Sequence, residues 1–264
     1  MGTNTMFDLS LPVGGNAKLA ALHEAIKRHT RLQTFWQCSN VIAVDRLKIN
    51  DHGPVHIKIV CNMALKLLRL LVERGVQPSV VKDHGMTPHD AEIVVVLAGC
   101  LHDIGHVVHR ERHELFSVAL APPLIDELLE AIPDYTERER AVLAAETLHA
   151  IWAHDTPVRP LTVEAGVVKV ADALDMEQGR ARIPFERGSL TIHAVSALSI
   201  EKVRVRQGET KPICIDIQMS NSAGIFQLDN LLKPKLLNSG LAQYVEIRAE
   251  ITGEEKKIVT HYEL

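Results

Sequence analysis

A histidine and an aspartate, His102 and Asp103, stand side by side at the end of an apolar stretch that covers residues 91–101. Imidazole nitrogen and carboxylate oxygen are both strong ligands for divalent cations, whereas an isolated charge beside a buried segment is costly in free energy. A bound cation is the simplest compensation for that charge. The pair therefore predicts a metal site whose remaining ligands come from other parts of the chain.

Histidine is concentrated around this pair: of the 14 in the chain, ten lie between residues 52 and 154. His56 begins an apolar segment, where a hydrogen-bonded core histidine and a metal ligand explain it equally well. His52, four residues earlier, is interpreted as a loop or capping residue. Downstream, Asp172 lies among Val, Ala and Leu, so it is paired, capped or metal-bound.

The polar stretch at residues 106–114 follows the pair directly and is rich in histidine and arginine. Such a stretch is typical of the rim of an anion site. His106, Arg110 and Arg112 are the candidates for neutralising negative charge on a bound substrate. The other polar residues, His109 and Glu111, are interpreted as parts of a solvated loop.

Apolar periodicity and capping signals predict the helices that position these residues. Pro54 suits a first helical turn, with Asp51 or Gly53 as the cap, and Thr87 with Asp90 resembles a capping box. The predicted helices are residues 16–37, 40–47, 55–73, 88–102, 113–131 with an interruption at Pro122-Pro123, 136–154 and 160–176.

Two positions on the later helices need separate consideration. His149 and His154 are five residues apart, about 140° around a regular helix, so both can hardly hold the same ion. Lys169 lies one turn before Asp172 and is expected to face solvent.

The periodicity changes to alternation after residue 189, which predicts strands. The pattern is β-β-α-β-β, with strands at 202–206, 213–219, 244–251 and 258–262 and a helix at 226–237. The predicted fold class is therefore mainly α, a helical bundle with a small C-terminal α+β domain. The predicted domains are residues 1–183 and 184–264, and a dimerisation or regulatory role is expected for the second.

Composition excludes several classes of protein. The net charge is −4, without a long Lys/Arg run, so neither a nucleic-acid nor a membrane surface is predicted, although a small anionic substrate is compatible. No signal peptide or apolar span occurs, and a cytoplasmic location is expected. Four scattered cysteines predict neither a disulfide framework nor a zinc ribbon.

The order of the candidate ligands carries a resemblance to a known family. The motifs are His56-x-x-x-Val60, His102-Asp103-Ile104-Gly105 after an apolar helix, and Val170-Ala171-Asp172-x-Leu174-Asp175. Over about residues 40–176 the chain resembles the HD-domain superfamily of metal-dependent phosphohydrolases, in which these ligands lie on separate helices.

The resemblance implies four ligands for a first divalent ion: His56, His102, Asp103 and Asp172. Members with two ions add histidines between the pair and the last aspartate, and His113 and His154 stand at those positions, with Asp103 as the bridge. His149 either replaces His154 as a ligand or lies next to the ligands without contacting the metal. A histidine- and carboxylate-rich set suits one or two ions of Fe, Mn, Co, Ni or Zn better than Ca.

Two departures from the family pattern are visible. His106 stands where many members carry lysine, and no Gly-Tyr-Pro signature occurs near residues 154–160, which argues against the cyclic-di-GMP subfamily that bears it.

The resemblance implies a phosphomonoesterase or phosphodiesterase acting on a small, nucleotide-like phosphorylated substrate through a metal-activated water. A one-metal nucleotidase, a non-catalytic metal-binding protein with a signalling or assembly role, and a di-iron oxygenase remain as alternatives. A homo-oligomer is expected.

Overall fold

The computed structural model of the protein describes residues 7–177 and 196–254. A bundle of helices forms the first part and a small sheet with a helical crossover forms the second, which confirms the predicted fold class. The helices of the first part are α1 (Ala17–Arg28), α2 (Thr30–Asn40), α3 (Pro54–Glu73), α4 (Ser79–His84), α5 (Pro88–Leu101), α6 (His113–Glu130), α7 (Glu137–Ala153) and α8 (Val163–Ala173).

Helix α5 is the centre of the bundle and packs against α3, α7 and α8. Every residue from Asp90 to Leu101 is buried, which explains why this stretch of the sequence lacks a polar face. Its predicted capping box is confirmed, since Asp90 Oδ2 accepts a hydrogen bond from the Thr87 backbone N–H at 2.9 Å. The helix is thus fixed at its start, and the His102-Asp103 pair follows its last residue.

Helix α3 begins as the sequence predicts, with Gly53 as the N-cap and Pro54 in the first turn. Asp51 Oδ1 accepts from the backbone N–H groups of Gly53 at 3.1 Å and His56 at 3.2 Å. The loop before α3 is therefore held against the first turn of the helix, where His56 lies.

Two predicted helices differ from the structure. The segment predicted as one helix is divided at His29, which ends α1 and caps α2, and a π-helical turn (Val41–Arg46) extends α2. Helix α6 is continuous through Pro122 and Pro123. Both prolines are exposed, and residues 118 and 119, whose carbonyls lose their helical partners, are not buried, so water can take those hydrogen bonds.

The second part contains the strands β1 (Ile200–Gln207), β2 (Ile213–Met219) and β3 (Val245–Ile251), in the order β1-β2-β3. β1 pairs antiparallel with β2, and β2 pairs parallel with β3. The crossover between β2 and β3 comprises a 3-10 turn (Ser222–Gly224), α9 (Ile225–Gln227), a π-helical turn (Leu228–Leu232) and α10 (Lys233–Asn238).

The predicted strand at residues 258–262 and the predicted linker at 183–188 lie outside the described residues. The domain boundary therefore stays a prediction. Within residues 7–177 and 196–254, no helix combines the length and the apolar character that crossing a bilayer requires.

Helix α10 is attached to the helical bundle beside α8. Asn238 Nδ2 donates to the carbonyl of Thr156 at 2.6 Å, in the loop after α7. Gly166 of α8 allows the chain after α10 to approach closely, since a Cβ there would lie 2.4 Å from the carbonyl oxygen of Ser239. Lys235, on the same short helix, is thereby held next to the bundle.

Candidate metal centre

Asp103 lies at the centre of a cluster of buried histidines, directly after the end of α5. Its Oδ2 is 3.3 Å from His56 Nε2 and 3.5 Å from His102 Nε2. Its Oδ1 is 3.3 Å from His113 Nε2 and 3.9 Å from His154 Nε2. The two oxygens of one carboxylate therefore face two different groups of imidazole nitrogens.

The first subsite consists of His56, His102, Asp172 and Asp103 Oδ2. His56 Nε2 is 3.2 Å from His102 Nε2 and 3.4 Å from Asp172 Oδ1, and His102 Nε2 is 3.8 Å from the same oxygen. Ligands about 2.1 Å from an ion lie about 3.0 Å apart in octahedral and about 3.4 Å apart in tetrahedral geometry. The spacing therefore fits a transition-metal ion in a single coordination sphere.

The second subsite consists of His113, His154 and Asp103 Oδ1. His113 Nε2 and His154 Nε2 are 3.1 Å apart, again within the range of neighbouring ligands. His106 Nε2 lies 3.5 Å from Asp103 Oδ1 and belongs to the same side of the carboxylate. Apart from His106, this subsite has three protein donors and the first has four, so an ion held by those three would keep open positions for water or substrate.

All four histidines of the two subsites have their Nδ1 atoms beside oxygen acceptors. The pairs are His56 with Asp175 Oδ2 at 2.6 Å, His102 with Gly99 O at 2.9 Å, His113 with Arg110 O at 3.1 Å, and His154 with Ile151 O at 2.6 Å. Because these oxygens only accept, each Nδ1 carries the hydrogen, and the Nε2 lone pair of each ring is directed into the cluster.

The electrostatics of the cluster favour cation binding. Burial lowers the pKa of His102 and His154, which favours the neutral imidazole that a metal ligand requires. Burial alone would raise the pKa of Asp103, but the histidine charges around it outweigh that effect and hold its pKa well below the ordinary value. For His113, burial lowers the pKa, but the hydrogen bond to Asp103 and the charges of Asp103 and Glu114 together outweigh it and raise the pKa.

His52 joins the cluster although the sequence indicated a loop or capping residue. Its backbone does lie in the loop before α3, but its ring is nearly buried, with Nδ1 2.6 Å from Asp103 Oδ2. The ring also stacks on that of His106, with the centroids 4.4 Å apart. No pattern in the sequence indicated this position, because His52 lies before the first residue of α3.

Two other residues were missed as parts of the site. Asp175 orients His56, and its place three residues after Asp172 in the quoted motif was the available signal. Lys235 of α10 forms an ion pair with Asp172 Oδ2. No local pattern in the sequence indicates this pair, because 63 residues separate the two side chains.

The predicted anion rim is present in part. Arg110 is exposed, and its guanidinium donates to His106 Nε2 at 3.0 Å. His106 is buried, and its Nδ1 has no hydrogen-bond partner among the described residues. Arg112 is exposed at a φ of 61° before α6, and nothing in the described part of the chain joins its side chain to the cluster.

Two expectations require correction. His149 is not brought to either subsite, because its Nε2 accepts a hydrogen bond from the Leu161 backbone N–H at 2.9 Å and thereby fixes the loop after α7. Lys169 does not face solvent but is fully buried. Its Nζ donates to the carbonyls of Ala153 at 3.2 Å and Asp155 at 2.7 Å, which extends the C-terminal end of α7 beside His154.

Comparison with known proteins agrees with this geometry. A family model described as HD domain matches residues 60–177, a range that contains His102, Asp103 and Asp172 but begins after His56. The uncharacterized protein MJ1020 of Methanocaldococcus jannaschii is 40% identical over 255 residues, which are 97% of each chain. The chain therefore belongs to the HD-domain superfamily, a family of the metal-dependent phosphohydrolase type.

Proposed function

We propose that this protein is a phosphohydrolase that acts on a phosphomonoester or phosphodiester of a nucleotide-like substrate. The observation that carries the proposal is the position of Asp103, whose two oxygens each face a separate group of imidazole nitrogens. A carboxylate in this position could give one oxygen to each of two ions, and a pair of ions is what two-metal hydrolysis of a phosphate ester uses.

The donor set fits divalent transition ions, which are the cofactor proposed here. His56, His102, Asp172 and one oxygen of Asp103 would hold the first ion, and His113, His154 and the other oxygen would hold the second. When bound, the ions would lower the pKa of a water molecule and draw charge from the phosphoryl oxygens. Fe, Mn, Co, Ni and Zn all suit this mixture of imidazole and carboxylate.

The charge of the ligand set favours an anionic substrate. Two divalent ions would bring four positive charges, and the carboxylates of Asp103 and Asp172 would cancel two of them. The remaining positive charge, in a site where His102 and Asp103 are buried, attracts a phosphoryl group strongly because solvent screens it poorly. Arg110 adds a guanidinium that can donate two parallel hydrogen bonds to phosphoryl oxygens.

His106 and His52 complete the wall of the site on the side of Arg110. His106 is held between the guanidinium of Arg110 and Asp103 Oδ1, and His52 covers its ring. These rings line one side of Asp103, and the hydrogen bond to His106 holds the guanidinium of Arg110 beside the cluster. We propose that this side receives the phosphoryl group.

The same donor set also fits a di-iron centre that carries out oxidation, because its bridging carboxylate and histidines would hold two iron ions equally well. That alternative is separated from hydrolysis by metal and product analysis. A mixed-valent iron signal together with oxygen consumption would favour the oxygenase, whereas phosphate release with Mn²⁺ under anaerobic conditions would favour hydrolysis.

The test is a substrate screen with the full-length protein loaded with Mn²⁺ or Fe²⁺. Nucleoside monophosphates, cyclic nucleotides and dinucleoside polyphosphates are incubated separately, and the products are separated by chromatography. We expect turnover of at least one class, its loss in Asp103→Ala, and its retention in His149→Ala, which removes a histidine outside both subsites. Metal-loaded protein without turnover across the panel would support a non-catalytic role instead.

A further inference from the structure

Lys235 is a buried lysine at the edge of the first subsite, although it comes from the crossover between β2 and β3. Its side chain is 8% exposed, and its Nζ contacts Asp172 Oδ2. The other oxygen of that carboxylate, Oδ1, faces His56 Nε2 and His102 Nε2. The lysine therefore pairs with one oxygen of a proposed metal ligand, and the other oxygen of that carboxylate is left for the ion.

The backbone around Lys235 is fixed from two directions. Asn238, three residues later, donates through Nδ2 to the carbonyls of Thr156 at 2.6 Å and Val158 at 3.3 Å, in the loop that follows His154. Ser239 fits over Gly166, where any side chain would collide with its carbonyl oxygen. The position of the ammonium is therefore part of the packing of α10 on the bundle.

An ion pair alone is a poor explanation for a lysine at this place. Removing two charges from water carries a desolvation penalty, and apolar residues of similar volume frequently give equal or greater stability. An ammonium has three N–H donors, and Asp172 Oδ2 is the acceptor that the described residues provide. The remaining donors can serve an anionic ligand beside the first subsite.

We propose that Lys235 binds a non-bridging phosphoryl oxygen of the substrate, so that the C-terminal part of the chain supplies a substrate-binding residue to the active site. This inference rests on the function proposed above. It also assigns a role to the small sheet, since β2 and β3 hold the crossover that carries Lys235.

The experiment uses inorganic phosphate as the probe. Binding of phosphate to the full-length, Mn²⁺-loaded protein is followed by isothermal titration calorimetry, and the bound metal is counted by elemental analysis. The variants are Lys235→Met, which keeps the length without the charge, and Lys235→Arg, which keeps the charge. Lys233→Met is the matched control, since Lys233 is exposed on the same helix and pairs with Asp229.

We expect Lys235→Met to bind phosphate about tenfold more weakly or worse, because a hydrogen bond to a charged group is lost, with the metal content unchanged. Lys235→Arg should keep most of the affinity, and Lys233→Met should equal the wild type. Circular dichroism checks folding, and if Lys235→Met does not fold, Lys235→Gln replaces it in the same comparison.

Two results would overturn the inference. Phosphate affinity equal to the wild type in a metal-loaded Lys235→Met protein would exclude contact with the phosphoryl group. Loss of bound metal in that variant would show that the lysine supports metal binding through Asp172 and does not bind the phosphoryl group. In both cases the proposed function would stand, whereas a wild-type protein that binds phosphate neither with nor without Mn²⁺ would contradict the function and the inference together.

Discussion

Asp103 belongs to both subsites, and this shared carboxylate governs how the individual residues depend on one another. Oδ2 faces the histidines of α3 and α5, whereas Oδ1 faces His113 at the start of α6 and His154 at the end of α7. A substitution at Asp103 therefore affects both groups of donors. A substitution at His154 affects one of them.

This difference gives the first prediction. Asp103→Ala should lower the bound metal to well below one ion per chain, because each subsite loses an anionic ligand in a buried position. His154→Ala should remove the second ion and keep the first. Elemental analysis after dialysis against Mn²⁺ measures both contents.

The control is His149→Ala, which removes a histidine on the same helix as His154 without touching the cluster, and its metal content should equal that of the wild type. One ion per chain in the wild type, unchanged by substitution of His113 and His154, would refute the two-ion arrangement.

The second prediction concerns Asp175, which accepts the hydrogen bond from Nδ1 of His56. Asp175→Ala should weaken the binding of metal at the first subsite by about 10–100-fold, since an outer carboxylate fixes the orientation and basicity of a ligating histidine. Competition with a chelator of known affinity measures the change. Asp126→Ala, an exposed position on α6, should leave the affinity as it is. Equal affinities in the two variants would contradict the proposed role.

At the scale of single residues, the sequence predicts the position of a side chain better on or next to a periodic helix than in a loop. The pair His102-Asp103 could be placed because a buried helix precedes it and leaves a charge to be compensated. His52 could not, because a loop position does not determine where the ring points, and the ring in fact contacts Asp103.

At the scale of elements, Gly105 controls how α6 approaches the end of α5. Its N–H donates to Ser117 Oγ at 2.8 Å, and Ser117 Oγ donates to the carbonyl of His102 at 2.6 Å. A Cβ on Gly105 would lie 2.0 Å from the carbonyl oxygen of His113 and 2.6 Å from the Ser117 nitrogen. Any side chain here forces α6, and His113 with it, away from Asp103.

Gly105→Ala should therefore lower the free energy of unfolding by about 1–3 kcal/mol or more and reduce the metal content of the second subsite. Urea denaturation measures the first effect and elemental analysis the second. Gly15→Ala is the control, because no atom lies within 4 Å of its Cβ position, and its effect should stay within about 0.5 kcal/mol. Equal stability of the two variants would disprove this account of the glycine.

Lys169 connects α8 to the end of α7. Lys169→Met should lower the free energy of unfolding by an amount on the order of 2 kcal/mol or more, because the carbonyls of Ala153 and Asp155 lose a charged donor. Urea denaturation tests this, with Lys66→Met on the exposed side of α3 as the control. A loss no larger than that of the control would show that the buried ammonium contributes nothing to stability.

Helix periodicity predicts most elements of the bundle, but not every detail of their packing. Pro122 and Pro123 suggested an interruption because the sequence does not show that both lie on the solvent side of α6. The sequence suggested that Lys169 faces solvent, but its four-carbon side chain is compatible with a solvated and with a buried position. Its acceptors are backbone carbonyls at the end of α7 and in the loop that follows, and no side-chain pattern in the sequence indicates them.

At the scale of the whole molecule, the candidate ligands come from α3 and α8 and from the ends of α5, α6 and α7, so bound metal would tie these five helices together. Removal of metal should therefore lower the melting temperature of the whole protein. At a free Mn²⁺ concentration 100 times the Kd, binding adds about 2.7 kcal/mol of stability per site. Differential scanning calorimetry with and without a chelator measures the shift, and Asp103→Ala should show almost none. A melting temperature unaffected by chelator in the wild type would contradict metal binding at this cluster.

The contact between Lys235 and Asp172 is the part of the molecule least accessible to sequence reasoning. Alternation correctly indicated β1, β2 and β3, and the helix between the last two, but gave no reason to place that helix against α8. The packing of this helix on the bundle depends on Gly166 and Asn238. Glycine and asparagine occur in sequences for many other reasons, so neither residue indicates the contact.

The parallel pairing of β2 with β3 has a consequence for biosynthesis. A ribosome that has completed α8 has already made every proposed metal ligand, but the crossover with its lysine emerges later and is fixed only after β3 has joined the sheet. A nascent chain would thus be able to acquire metal before it can retain a phosphorylated compound. The addition of β3 to the sheet would then be the step after which a newly made molecule can bind its substrate.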